Sequence, residues 1–185
     1  MRLENSFEVP APPEQAWALL NDLPRILPCM PGAELTEVVG EHAWKATMHV
    51  KLGPIALQFG TDVTRGEVDE AARRVVLSAK ARELKGRGGA QATIESSLAE
   101  ANGGTRVSIV TDLTLQGAVA QYGRGVVADV AAQMTKRFAE CIAAQLQESQ
   151  VAGPAEPAGV KPVGGLRLAL GALWRSFLRL FRRGS

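Results

Sequence analysis

Residues 103–142 read GGTRVSIVTDLTLQGAVAQYGRGVVADVAAQMTKRFAECI, and the hydrophobic period changes in the middle of them. Up to Gln116 apolar and polar residues alternate, with Val107, Ile109, Leu113 and Leu115 on one side, as in a strand with one buried face. From Val119 to Gln147 the apolar positions recur at helical spacing instead, through Val126, Val130, Met134, Phe138, Cys141, Ile142 and Leu146. Such a helix is about 40 Å long at ~1.5 Å per residue, with Tyr122 at its start. A long amphipathic helix that follows a strand must cover something apolar, and the preceding sequence supplies it.

Working back from Gln116, the period stays at two as far as Glu34. Strands are predicted at 34–39, 42–52, 55–65, 73–82, 89–99 and 105–116. They are separated by Gly40-Glu41, Gly53-Pro54, Glu67 to Glu70, Gly86-Arg87-Gly88 and Asn102-Gly103-Gly104, all good turn chemistry. One face collects Trp44, Ala46, Met48, Val50, Ile55, Leu57, Phe59, Val63, Val75, Leu77, Ala79 and Ala81, while Lys45, Thr47, Lys51, Gln58, Lys80 and Arg82 fall on the other. That is an antiparallel meander, wet on one side and covered on the other. Ahead of it, Leu3, Asn5, Phe7 and Val9 mark a first strand, PPEQAWALLND a short helix, and 24–27 a second brief helical turn before Pro31-Gly32. The order of elements predicts an α+β domain in which a seven-stranded antiparallel sheet curves around the long helix, with two short helices after the first strand.

At 185 residues and 46% hydrophobic content, the chain has room for one domain of about 150 residues and an appendage. Residues 1–148 are the expected domain. The stretch 149–164, with VAGPAEPAGVKPVGG at its heart, has the Pro/Gly composition of a flexible linker. Residues 165–185 end in LRLALGALWRSFLRLFRRGS, an amphipathic helix pattern. Leu166, Leu170, Leu173, Trp174, Phe177, Leu180 and Phe181 share one sector of the wheel, and Arg175, Arg179, Arg182 and Arg183 lie opposite. Spanning a bilayer would place Arg175 and Arg179 near its centre at about 2.5–3.5 kcal/mol each, so the segment is expected to lie in the interface of an anionic membrane. Charge supports this: residues 1–150 carry 15 Lys+Arg against 18 Asp+Glu, whereas the remainder has Lys161, Arg167 and the four tail arginines against Glu156 alone. Nucleic acid is not an expected partner, since a phosphate-tracking stripe needs no wide aliphatic face.

The inventory for catalysis is short. His42 and His49 are expected at the surface, Asp62 and Asp112 point away from the covered face by strand parity, and no Lys-Ser/Thr follows the glycines at 86–89 as a phosphate loop requires. Cys29 and Cys141 form no metal-ligand spacing and are expected as reduced thiols. The opening MRLENSFEVP lacks the apolar core of a signal peptide, so residence in the cytoplasm is expected.

Five stretches together carry a family resemblance: LPCMPGAEL at 27–35, VKLGPIALQFGTDV at 50–63, GRGGAQATIESSL at 86–98, the 103–142 stretch quoted above, and the tail. On these the chain resembles the carbon monoxide dehydrogenase CoxG family, a group within the START-like, SRPBCC helix-grip superfamily. The resemblance implies a cavity between sheet and helix for an apolar molecule, association with a CO-dehydrogenase-type molybdenum hydroxylase, and peripheral attachment to the inner face of the cell membrane. The expected ligand is a non-covalent respiratory quinone, menaquinone or ubiquinone, with no metal-bound or covalent cofactor. Expected wall residues are Phe7, Leu27 and Met30; Trp44, Ala46, Met48, Leu57 and Phe59; Leu77, Ala79, Ala81, Ala92, Ile94, Ile109 and Leu113; and Tyr122, Val126, Val127, Val130 and Met134. The alanines at these inward positions are smaller than a packed core prefers, which leaves space. A membrane anchor or assembly factor for the dehydrogenase, and a cyclase- or hydrolase-like enzyme of the same fold, are the competing readings.

Overall fold

Hydrogen bonding links seven antiparallel strands in the order β1-β7-β6-β5-β4-β3-β2, a meander whose last strand also pairs with the first. The computed structural model describes residues 1–53 and 55–151. The strands are β1 (Arg2–Val9), β2 (Ala33–Gly40), β3 (Ala43–Leu52), β4 (Ile55–Asp69), β5 (Arg74–Glu83), β6 (Gly88–Ala101) and β7 (Gly104–Gly117). The helices are α1 (Pro13–Leu20), α2 (Leu23–Ile26) and α3 (Arg124–Val151), with 3-10 turns at Leu27–Cys29 and Ala118–Gln121. This is the expected helix-grip architecture.

Local chemistry accounts for most boundaries. Pro13 opens α1 where a missing N–H costs nothing, and the Asp22 carboxylate accepts the Arg25 N–H at the start of α2. Asn102 and Gly103 both adopt positive φ, 51° and 77°, as a tight hairpin with the twist of its strands requires. Two expectations shift. The β4–β5 turn lies at 70–73 and not at Glu67 to Glu70, because a register shift between Arg65 and Val68 lets β4 run on to Asp69. The long helix starts at Arg124, not near Val119, since Gly117 (φ 71°) turns the chain first into a 3-10 segment. Tyr122 is thus extended and lies ahead of the helix it was expected to begin.

The covered face of the sheet is packed unevenly. At one end Val9, Trp17, Leu19, Ile26, Trp44, Val75, Leu98 and Val107 meet Phe138, Ile142 and Leu146 of α3 in one cluster. Phe7 and Phe138 stack edge to face, 5.9 Å between centroids. Full burial of each large apolar side chain contributes roughly 1.5–3 kcal/mol. At the other end Leu57, Phe59 and Val119 form a smaller cluster under the first turns of α3.

The cysteines correct the sequence reading. Cys29 and Cys141 are joined in a disulfide, their Cα atoms 5.4 Å apart, tying the 3-10 turn after α2 to the C-terminal half of α3. The 112 residues between them hid a proximity that only the folded sheet creates. The helix also outlasts its expected end: α3 runs to Val151, three residues into the predicted linker. The rest of that linker and the whole predicted tail helix lie outside the described residues.

Closing so long a loop restricts the unfolded chain. Replacing both cysteines with serine, or reducing them, is expected to cost about 2–4 kcal/mol of stability. Thermal melts of the parent with and without reductant, beside the double-serine variant, measure it.

Candidate functional site

The inward side chains of β5 and β6 are registered as Ala79 opposite Ala92 and Ala81 opposite Ala90. Thr61 of β4 sits beside Ala81, and Leu113 and Leu115 of β7 sit beside Ala92 and Ala90. Four methyl groups in a square make a floor with nothing tall on it. Above and around that floor lies a cavity of about 230 Å³, partly open, its wall completed by Met48, Val50, Leu57, Phe59, Val119, Val127 and Val130. A gap this large is well beyond a packing defect.

The position of the cavity follows from the uneven core. It occupies the end of the sheet where the β3–β4 turn, the β5–β6 turn and the passage from β7 into α3 come together. Phe138, Ile142 and Leu146 fill the space at the other end. Here α3 offers only Val127 and Val130, one turn apart on its inner face, over the alanines.

Several expected wall residues do line it: Met48, Leu57, Phe59, Ala79, Ala81, Ala92, Leu113, Val127 and Val130. Others belong to the solid end. Phe7, Met30, Leu77 and Ile109 pack against the main cluster, and Trp44 is buried within it under the Arg65 guanidinium. Ala46 is buried outside the wall, and Leu27, Ile94 and Met134 are half-buried outside it. Tyr122 packs on the Leu57–Phe59–Val119 cluster without reaching the cavity, and Val126 faces outward, 43% exposed. Five wall residues were not among the expected set. Val50, Ala90, Leu115 and Val119 share the parity or spacing that selected the others, and Thr61 falls between Phe59 and Val63 on the same inward parity. Its Oγ1 is buried without a hydrogen-bond partner. It supplies the one hydroxyl in the described wall.

The end of the cavity is closed by a buried ion pair that the sequence did not announce. Glu83 is the last residue of β5, registered opposite Phe59, and its side chain is wholly shielded from solvent. Its carboxylate accepts from the Arg87 guanidinium at 2.9 Å and from the backbone N–H groups of Lys85 and Arg87 at 2.8 and 3.0 Å. Arg87 also donates to the Ala56 carbonyl, and its own carbonyl accepts the N–H of Val119, a wall residue. The β5–β6 turn is thereby fastened to the start of β4 and to the 3-10 segment. Gly88 and Gly117 allow this approach, because a Cβ on Gly88 would lie 2.0 Å from the Gln116 carbonyl oxygen.

Hydrogen bonds from the Arg87 guanidinium, reinforced by the two backbone N–H groups, hold the Glu83 carboxyl down to about 2 from an ordinary 4.5. A depressed acid stabilises the fold fully above its unfolded value and loses that contribution as pH falls toward its folded one. Glu83→Gln is therefore expected to lower stability at neutral pH and to flatten its fall between pH 4.5 and about 2. Denaturant titrations at several pH values provide the check.

The floor makes a separate prediction. Ala81→Phe places a ring in empty space, so its stability is expected to stay within about 1 kcal/mol of the parent, below the roughly 1–3 kcal/mol of overpacking a filled core. Calorimetric melting of Ala81→Phe beside Ala46→Phe, the latter a buried position outside the wall, separates the two cases.

His42 and His49 are exposed as expected, His42 beside Arg65, and Asp62 and Asp112 are exposed on the outer face. Among the described residues no group of three or more His, Cys, Asp or Glu is placed to hold a metal ion. No helix among them is long and apolar enough to cross a membrane.

Comparison with known proteins gives a family match and a fold match. The family model for carbon monoxide dehydrogenase CoxG matches residues 6–147. Among curated proteins none matches the chain. Solved structures share the fold. A conserved protein from Geobacillus kaustophilus superposes with a TM-score of 0.71 at 20% identity, covering 80% of this chain and 97% of its own. The aromatase/cyclase Zhui from Streptomyces gives 0.59 at 14% identity, covering 83% and 98%. A protein from Mycobacterium smegmatis gives 0.56 at 19% identity, covering 80% and 91%.

Proposed function

Because the chain belongs to the carbon monoxide dehydrogenase CoxG family, we propose that it carries a lipophilic molecule, a respiratory quinone of the menaquinone or ubiquinone type, for a CO-dehydrogenase-type molybdenum hydroxylase. Family and fold together suggest a ligand-binding role linked to CO dehydrogenase. The alanine-floored cavity is the observation that carries the finer reading. Its volume of about 230 Å³ suits a ring system with one end reaching out, and it is smaller than the ~300–1,000 Å³ that encloses a whole drug-sized ligand. Thr61 is the one hydroxyl available to a ring carbonyl once its side chain turns about χ1.

The described wall contains no acid, base or thiol, so a bound molecule meets nothing able to move a proton. That favours carriage over the cyclase-like reading, although an aromatase/cyclase shares the fold. The predicted tail helix at 165–185 would hold the body at the inner membrane face, where quinones reside and where the hydroxylase would find its electron acceptor. A disulfide is unusual in a reducing cytoplasm. Cys29 is 4% exposed, however, and offers an attacking thiolate little access.

Two measurements test the reading. Quinone affinity, read by fluorescence quenching with a short-chain naphthoquinone, is expected to fall about tenfold or more in Ala81→Phe, a loss of ~1.4 kcal/mol or more. Unchanged affinity in a stable variant would remove the cavity from the account. Deleting residues 165–185 is expected to weaken flotation with anionic vesicles strongly while the melting temperature stays where it was. Equal flotation with and without the tail would remove the anchor.

A further inference from the structure

The end of the sheet that holds the cavity differs from the rest of the domain in charge. Three segments build it, 49–57, 82–90 and 114–126, and they contain Lys51, Arg82, Lys85, Arg87 and Arg124 against the single acid Glu83. Glu83 is buried and bound by Arg87, so it contributes no negative charge to the surface. Lys51, Arg82, Lys85 and Arg124 have no ion-pair partner among the described residues. Elsewhere residues 1–150 carry ten Lys+Arg against seventeen Asp+Glu. Many of those cations are paired, as Arg106 is with Glu8, Arg73 with Glu14 and Arg74 with Glu67. An acidic body therefore has one basic end.

The same end presents apolar side chains to solvent. Ile55 at the β3–β4 turn is 37% exposed, Leu84 at the β5–β6 turn 59%, and Val126 in the first turn of α3 43%. Each stands on a different connection, close in sequence to a wall residue: Leu57, Ala81 and Val127 respectively. Isolated exposed apolar residues need no explanation. Three of them on neighbouring connections, interleaved with unpaired cations around a partly open apolar cavity, form a surface with a definite complement.

We propose that this end of the domain is itself a membrane-docking face, with Ile55, Leu84 and Val126 entering the headgroup region of an anionic bilayer and Lys51, Arg82, Lys85 and Arg124 meeting the lipid phosphates. The inference rests on the carrier reading for its purpose, since docking turns the cavity toward the phase in which a lipophilic ligand dissolves. It does not rest on the tail. Charge complementarity selects the occupant: the polarity of the body turns this end toward a negative surface, each cation near such a surface adds attraction, and apolar tips between cations match the layered chemistry of headgroup and acyl chain. A protein partner would be expected to bring acidic side chains to the same cations, and the test includes that outcome.

The test uses the full chain and vesicles of equal parts phosphatidylcholine and phosphatidylglycerol, followed by hydrogen–deuterium exchange. Peptides covering 49–57, 82–90 and 118–127 are expected to exchange more slowly on the vesicles, while the turns at 70–73 and 101–104 at the opposite end keep their rates. Lys51→Glu combined with Lys85→Glu is expected to remove that protection and weaken vesicle affinity about tenfold or more. Its melting temperature and its naphthoquinone affinity in vesicle-free solution should match the parent, because neither residue touches the core or the cavity wall. Unchanged exchange at the three connections in vesicle-bound protein would overturn the proposal, as would protection that appears only when a molybdenum hydroxylase is added. Failure of naphthoquinone to bind the parent would count against the carrier reading alone and leave the docking result to stand.

Discussion

The cohesion of this domain comes from the last four turns of α3. Phe138, Ile142 and Leu146 recur at four-residue spacing and press into the sheet, α1 and α2 at one end only. Because that contact is dense, the first turns of the helix are held over the sheet without having to pack on it. A protein that must keep a space open inside itself faces the ordinary tendency of apolar surfaces to close. Here the closing tendency is satisfied at one end, and the other end stays apart by leverage from a stiff helix.

What closes the hollow end is electrostatic rather than apolar. Glu83 and Arg87 replace the large side chains that would otherwise terminate a core, and their hydrogen bonds reach three separate connections. A buried ion pair contributes little net stability compared with well-packed hydrophobic residues, but losing one partner leaves the other charged and shielded. Its value in this position lies in geometry, since directional bonds fix the spacing of connections that apolar contacts would let drift together.

Most of the fold was legible because strand parity and helix periodicity are local properties. The alternation from Trp44 to Leu115 and the helical spacing from Val126 to Leu146 needed no knowledge of what they faced. The cavity was legible in one dimension: parity and size singled out Ala79, Ala81 and Ala92, but parity assigns a face and not a position along it. Phe7, Trp44, Leu77 and Ile109 share the inward face and fell at the solid end, a distinction that depends on where α3 is thick. Thr61 and Glu83 had inward parity as well, and polarity made them look like outward residues. Nothing in the spacing of Cys29 and Cys141 foretold their union, because the distance between them is set by the whole sheet.

That union also divides the chain mechanically. The bond between Cys29 and Cys141 makes a covalent ring of everything from β2 to the middle of α3, cavity included, and leaves β1, α1, α2 and the end of α3 outside it. Tension that arrives along the chain from beyond Val151 enters α3 at its final turns and reaches Cys141 before it reaches Val130 or Val127. At Cys141 part of the load crosses through sulfur to the turn after α2, in the most densely packed region of the molecule. The residues that wall the cavity therefore sit downstream of a strain relief, and the domain can be tugged by its C-terminal end without its pocket being pulled out of shape.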